Sequence, residues 1–306
     1  MSNLLKLYSY KIPLIKPIKM RNLLMEYREG FICESKDSFA EIAPLPSFSH
    51  ETLQDILNKW VIFLKLVSSS TNFSGDIIYN QPIAQSIIKL SPSLSFAYYC
   101  LTHNFKCERK KPYNFILGTP QEVFEQLKNS QGTFKIKVGL YNENEELWLL
   151  NKLSENQNLK LIIDGNFTLS FEKAKNFQKI INQNLVYFED PCKSIHDTIS
   201  LKCNIAVDEI NAYQEHNIIN ILKKQKVDYI RIYKPTILGL LEENLQNITL
   251  SSSFESIIGI STIEKISNLY NLSIPGTDTL KFFDEKYCDS ENLIKTLKII
   301  TTFPIV

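Results

Sequence analysis

The chain has 306 residues, and 34 Lys+Arg against 33 Asp+Glu give a formal net charge of +1. Hydrophobic residues make up 44% and charged residues 22%, ordinary globular usage that excludes disorder and leaves no bulk positive field for nucleic acid or an anionic membrane. Gly is scarce at 9 residues, against ~7% in average usage, so a Gly-rich phosphate loop is excluded. The 6 cysteines form no C-x-x-C pair, and no secretory h-region or membrane-length apolar run is present. These features predict a reduced, cytoplasmic protein with no membrane partner.

In chain order, residues 4–12, 23–35 and 39–44 read as strands. The intervening PLIKPIKMRN, with two prolines and several bases, predicts an irregular mobile loop over 13–22, solvated or serving as a lid. Residues 50–67 have helical spacing, with Leu53, Ile56, Leu57 and Trp60 on one side. A second helical region, 82–104, breaks at Pro92.

From about residue 113 short apolar runs alternate with amphipathic segments. The runs are 113–118, 134–139, 159–165, 185–190, 204–209, 227–234, 248–253 and 272–276, and helical patterns at 120–129, 143–155, 171–182 and 213–225 lie between them. Strands with helical crossovers imply a parallel sheet, and eight of them favour a (β/α)8-type barrel. The expected organisation is an α+β domain over 1–105, joined by the tail 286–306, and a barrel over 106–285.

Charged residues recur near the C-terminal ends of successive runs: Lys137, Asp164, Glu189, Asp208 and Lys234, each about one strand–helix unit from the next. Alternation puts Lys135 on the same face as Lys137. A barrel gathers such strand ends at one mouth. Three carboxylates there repel one another unless a cation sits among them, and oxygen donors without His suit Mg²⁺. Such a site fits removal of a proton next to a carboxylate: the cation holds the enediolate's oxygens and a neutral lysine takes the proton. Like-charge repulsion from Lys135 favours a neutral Lys137.

These residues resemble the enolase superfamily, a familiar example of a Lys base acting with Mg²⁺ on an enediolate, and within it the o-succinylbenzoate synthase family of menaquinone-pathway dehydratases. FKIKVGLY (134–141) carries the K-x-K motif, LIIDGN (161–166) the D-x-N and YFEDPCK (187–193) the E-[DE]-P. IAVDE (205–209) carries the D-E and YKPT (233–236) the K-P-T. FAEIAPLPSFSHET (39–52), SSSFESIIGI (251–260) and IPGTDTL (274–280) also match. The resemblance implies a modified (β/α)8-type TIM barrel with an N-terminal α+β capping domain, a lyase using Mg²⁺ (with Mn²⁺ as a substitute), a small-molecule carboxylate substrate and a monomer. It implies Lys137 as acid/base, Asp164, Glu189 and Asp208 as metal ligands, and Lys234 as the opposed lysine; which lysine donates and which accepts stays open. Lys135, Asn166, Ser252, Ser253 and Gly276 would meet substrate, the last three largely through backbone. The alternative on the same scaffold is racemisation of N-succinylamino acids or epimerisation of dipeptides. Three positions depart from the family pattern: Gly165 replaces the usual alanine, Phe167 a basic residue and Ile210 a serine.

Other residues invite chemistry without its context. His50, His103, His196 and His216 are scattered, Cys192 reads as a packing residue behind Pro191, and Ser251–Ser253 lack a G-x-S-x-G frame.

Overall fold

Alternating apolar residues make a long hairpin of β1 (Leu4–Met20) and β2 (Leu23–Ser35), followed by β3 (Ser38–Ile42). Three helices follow: α1 (Leu53–Ser68), α2 (Gln81–Leu90) and α3 (Pro92–Thr102). The strand–helix series then runs β4 (Asn114–Ile116), α4 (Pro120–Leu127), β5 (Gly132–Lys137), α5 (Glu143–Ser154), β6 (Leu159–Asp164), α6 (Phe171–Ile181) and β7 (Leu185–Glu189). It continues through α7 (Ile195–Ser200), β8 (Ile205–Asp208), α8 (Glu209–Asn211), α9 (Ile218–Gln225), β9 (Ile230–Tyr233) and α10 (Pro235–Leu238). The last elements are β10 (Ile248–Leu250), α11 (Ile257–Leu269), α12 (Ser290–Thr296) and β11 (Lys298–Pro304). This computed structural model describes residues 4–21, 23–36, 38–72, 76–103, 105–211 and 217–304. The start of the helix expected over 213–225, and His216 with it, lies outside the described residues.

The chain divides into two units, Met1–Lys111 with Tyr233–Val306, and Pro112–Ile232. Residues 233–306 thus cluster with residues 1–111. The reason is packing: Tyr233, Leu240, Leu250, Ile263 and Ile266 share one apolar core with the buried faces of β1–β3 and α1–α3.

In the first unit β11-β1-β2-β3 form an antiparallel sheet, with Leu4 opposite Pro304. A Thr52–Asp55 capping box starts α1, which buries Ile56, Trp60, Phe63 and Val67. The stretch 13–20 is strand, not an irregular loop. Ile12, Leu14 and Met20 are buried, and pairing with β2 resumes at Ile18–Met25 after an irregularity between Pro13 and Ile18. Pro17, which has no N–H to donate, falls in that interruption, and Leu14 bridges to Phe283. The solvated alternative holds for Lys16 and Lys19, which are exposed. The last expected strand, 272–276, is reduced to one parallel bridge between Ser251 and Gly276. Pro275 cannot donate to a ladder there.

The second unit is a parallel sheet in the order β9-β8-β7-β6-β5-β4. One face carries Phe134, Ile136, Leu161, Ile163 and Phe188 into a core with α4, α5 and α6. The other carries Tyr113, Ile162, Tyr187, Ala206 and Ile232. Each residue of this inner layer except Tyr113 stands two positions before one of the charged strand ends, so period-2 alternation puts those ends on the same inner face.

Arg28 of β2 is 1% exposed and donates to the carbonyls of Glu29 (2.9 Å), Ala43 (2.5 Å), Pro44 (3.0 Å) and Phe254 (3.0 Å). Removing a buried donor that serves four acceptors strands them all. Arg28→Leu should destabilise the protein by about 3 kcal/mol or more, while exposed Lys19→Gln stays within ~0.5 kcal/mol, as read by urea unfolding. Equal midpoints for the two variants would refute this role for Arg28.

Candidate active site

Register brings the charged residues together. Lys137 on β5 is directly opposite Asp164 on β6, and Asp164 is opposite Glu189 on β7. Glu189 is opposite Ala206, two residues before Asp208 on the same face of β8. Asp208 in turn is opposite Ile232, and Lys234 follows two residues later in the chain. Lys137, Asp164 and Glu189 are thus level in one row, and Asp208 stands two residues further along β8 on the same face.

Lys135 sits one layer below and reaches up into it. Its Nζ lies 2.9 Å from Asp164 Oδ2 and 2.6 Å from Glu189 Oε1. Burial alone would pull its pKa down, but the Asp164 and Glu189 charges outweigh this and hold it well above the usual lysine range. Lys135 therefore carries its charge beside Lys137. The Lys137 ammonium, more exposed, is 3.3 Å from Asn166 Oδ1 and 3.8 Å from Asp164 Oδ2. Asn166 donates its Nδ2 (2.7 Å) and backbone N–H (3.2 Å) to Asp164 Oδ1, so its side-chain amide links the Lys137 ammonium to the Asp164 carboxylate.

The two central carboxyls diverge. Burial works against both charged forms. Lys135, Lys137 and the Asn166 amide nevertheless bring Asp164 below the usual carboxylate range. Burial and the Asp164 and Asp208 charges push Glu189 up to about 7, with Lys135 opposing. Glu189 has one cationic neighbour, and its buried Oε2 has no hydrogen-bond partner. Asp208 accepts the Ile210 N–H at 3.2 Å.

The expected convergence of all three carboxylates on one point is not seen: among the described residues no three His, Cys, Asp or Glu side chains are gathered closely enough to hold a metal ion. The Lys135 ammonium stands between Asp164 and Glu189. The donor set still suits a divalent, oxygen-preferring cation. It consists of carboxylates alone, and the buried Glu189 Oε2 has no hydrogen-bond partner.

The remaining expected residues lie in the first unit. Lys234 is half-buried at the start of α10, its carbonyl accepting from Ile237 and Leu238 (both 3.0 Å). Ser252 donates its N–H to Gly276 O (3.0 Å), Ser253 its N–H to Glu255 Oε2 (2.6 Å), and Gly276 its N–H to Leu250 O (2.9 Å). All three amides are thus used inside the fold, against the expectation of backbone donors for substrate; strand pairing and the buried Glu255 claim them. The Cys192 thiol is buried in the apolar core and pushed up to about 11 by that burial, a packing residue as expected.

Sequence reasoning passed over the supports of this row. Asp190, inside the E-D-P motif, accepts the Asp208 N–H and the Asn211 side chain (both 3.1 Å). Glu209 pairs with both Arg231 nitrogens that face it. Both were legible as acids next to strand ends, but nothing in the sequence separates a supporting acid from a reacting one.

The family profile described as "MenC, N-terminal domain" matches residues 2–82. The o-succinylbenzoate synthase of Pasteurella multocida (strain Pm70) is 28% identical, over 91% of this chain and 90% of its own. The chain is related to the o-succinylbenzoate synthases. Among solved structures, an enolase-superfamily protein from Listeria innocua superposes with a TM-score of 0.71 at 15% identity, covering 100% of this chain and 99% of its own. The o-succinylbenzoate synthase of Thermosynechococcus elongatus BP-1, complexed with Mg in its active site, gives 0.66 at 17% identity, covering 92% and 94%. The fold is therefore the one these structures share, a modified (β/α)8-type barrel with an N-terminal α+β domain.

Against the o-succinylbenzoate synthase pattern, Gly165 is the departure with a visible cause. A Cβ there would lie 2.8 Å from Pro191 O, 3.0 Å from Asp190 O and 3.0 Å from Pro191 Cα. These are backbone atoms of the loop after β7, tied down by Phe167 N–H to Asp190 O (2.6 Å) and Leu169 N–H to Pro191 O (3.3 Å). Gly165→Ala should therefore cost about 1–3 kcal/mol in chemical denaturation, despite alanine's usual place in the motif. A gain in stability would show that the two loops separate at no cost.

Proposed function

We propose that the protein catalyses the o-succinylbenzoate synthase reaction of menaquinone biosynthesis. It removes water from 2-succinyl-6-hydroxy-2,4-cyclohexadiene-1-carboxylate to give 2-succinylbenzoate, which makes it a hydro-lyase. The observation that carries this is the row of Lys137, Asp164 and Glu189 in register, continued by Asp208, on a chain related to those synthases over nine-tenths of its length.

Asp164, Glu189 and Asp208 would hold Mg²⁺. When bound, the ion supplies Lewis-acid stabilisation of negative charge on the substrate carboxylate. The neutral amine of Lys137 takes the proton α to that carboxylate, and the electron pair left behind makes the enediolate. The Lys137 ammonium then returns the proton to the departing hydroxyl, so that water leaves and the ring becomes aromatic. Asn166 fixes the Lys137 amine while the proton moves. Lys135 keeps its positive charge between Asp164 and Glu189. Lys234 sets its ammonium against the substrate ring.

The direct test is incubation with the cyclohexadiene, with and without Mg²⁺, following loss of diene absorbance. Activity should vanish with a chelator and return with Mg²⁺. Lys137→Ala should lose at least the ~10²–10⁴-fold typical of a general base, because the same group also protonates the leaving hydroxyl. Lys234→Arg should be damaging although charge is kept, since a planar guanidinium does not fit a compact ammonium's place. Racemisation needs a proton acceptor on each face of the substrate. Efficient racemisation of N-succinylamino acids in D₂O, with the cyclohexadiene left untouched, would replace the dehydratase reading by the racemase one.

A further inference from the structure

Lys137 ends β5, and the loop that follows it has no regular structure of its own. It is held by one side chain. Glu146, in the first turns of α5 and 2% exposed, takes the backbone N–H groups of Gly139 (2.7 Å), Leu140 (3.0 Å) and Tyr141 (3.1 Å) on a single oxygen. Its other oxygen lies 2.8 Å from Lys173 Nζ on α6, the helix that follows the Asp164–Asn166 loop. One carboxylate thereby ties the segment after Lys137 to the helix after Asn166.

The two segments also touch directly. Gly139 has φ +83°, and a Cβ there would lie 2.1 Å from Thr168 Oγ1, whose hydroxyl donates to Gly165 O (2.7 Å). Val138 N–H donates to Asp164 O (2.9 Å). The 3.3 Å approach of Lys137 to Asn166 is therefore set by how these two loops meet. An ammonium on a flexible four-carbon stem keeps one geometry only if its backbone is fixed. Proton transfer tolerates little misplacement.

We infer that Glu146 and Lys173 form a clamp that positions Lys137 against Asn166 and the substrate α-carbon. They are positioning residues for the reaction, touching neither substrate nor metal. The inference rests on the reading of Lys137 as the base.

Glu146→Gln keeps an oxygen for the three N–H groups and breaks only the link to Lys173; Lys173→Met breaks it from the other side. Both should lower kcat by 10-fold or more and change KM by less than about 3-fold, because binding groups stay in place while the base does not. Lys173→Arg, which keeps the charge opposite Glu146, should retain most of the wild-type kcat. Hydrogen exchange at the amides of residues 139–141 should speed up in the two broken variants and not in Lys173→Arg. Folded variants with wild-type kcat overturn the clamp and leave the dehydratase reading standing. So does a loss that disappears when rates are normalised to the folded fraction. Wild-type protein that leaves the cyclohexadiene unchanged overturns the dehydratase reading, and this inference with it.

Discussion

A buried ammonium among buried carboxylates is the constraint around which the second unit is arranged. Asp164 and Glu189 are opposite each other at the ends of neighbouring strands, out of water, where like charges are costly. Lys135 makes that tolerable by entering from the layer below, at 2.9 and 2.6 Å. In register with it, Ile162 on β6 and Tyr187 on β7 fill the neighbouring places of that layer, and Lys135 takes the place on β5. A hydrophobic side chain there would complete the layer and leave the carboxylates without a counter-charge. The unequal supply of partners then separates the two acids. Asp164 has two lysines and an amide and is held below the usual carboxylate range, whereas Glu189 has one lysine and a buried oxygen without a hydrogen bond and is pushed up.

The first unit solves a similar problem with hydroxyls and backbone N–H groups in place of an ammonium. Glu41 and Glu255 are both buried, and each is satisfied by hydroxyls and backbone N–H groups. Glu41 takes the Tyr10 hydroxyl, the Ser256 N–H (2.9 Å) and hydroxyl (2.5 Å) and the Gly259 N–H (2.9 Å). Glu255 takes the Thr236 and Ser253 hydroxyls and the Ser253 N–H. A dense set of short polar bonds thus fixes β3, the segment after Lys234 and the start of α11 to one another. Buried polar networks of this kind confer uniqueness because each member has few alternatives. The Ser252–Ser253 segment is rigid for this reason, and its amides are already committed.

Much of this was legible in the amino-acid sequence, for physical reasons. A parallel strand that ends at a catalytic face shows an apolar run closed by a charge, and period 2 tells which neighbours share its face; Lys137, Asp164, Glu189 and Asp208 could be read that way. The rest was hidden by ambiguity of pattern. Helix α11 lies in SSSFESIIGISTIEKISNLY, where a β-branched run serves strand and helix equally well. The hairpin arm at 13–20 carries two prolines, which argue for a loop until the partner strand is seen to skip one of them. Glu146 stands in NENEEL, where each acid looks like a solvated helix start. Only the position of three N–H groups from a preceding loop distinguishes it. Charges at strand ends advertise themselves by type and place, whereas acids whose partners are backbone N–H groups of a neighbouring loop do not.

The pairing of β1 with β11 sets an order of events during synthesis. Leu4 to Ser9 are made long before Lys298 to Pro304, so one edge of β1 receives its partner only when those residues have followed. Until then that edge offers unpaired N–H and C=O groups along a strand whose Leu5 and Leu7 belong to the core. The second unit, made in between, contributes no strand to that sheet and can form while the edge waits. A nascent chain stalled before residue 298 would therefore hold a formed parallel sheet and an unfinished antiparallel one. The unfinished edge is where a chaperone, or another copy of the same strand, would attach.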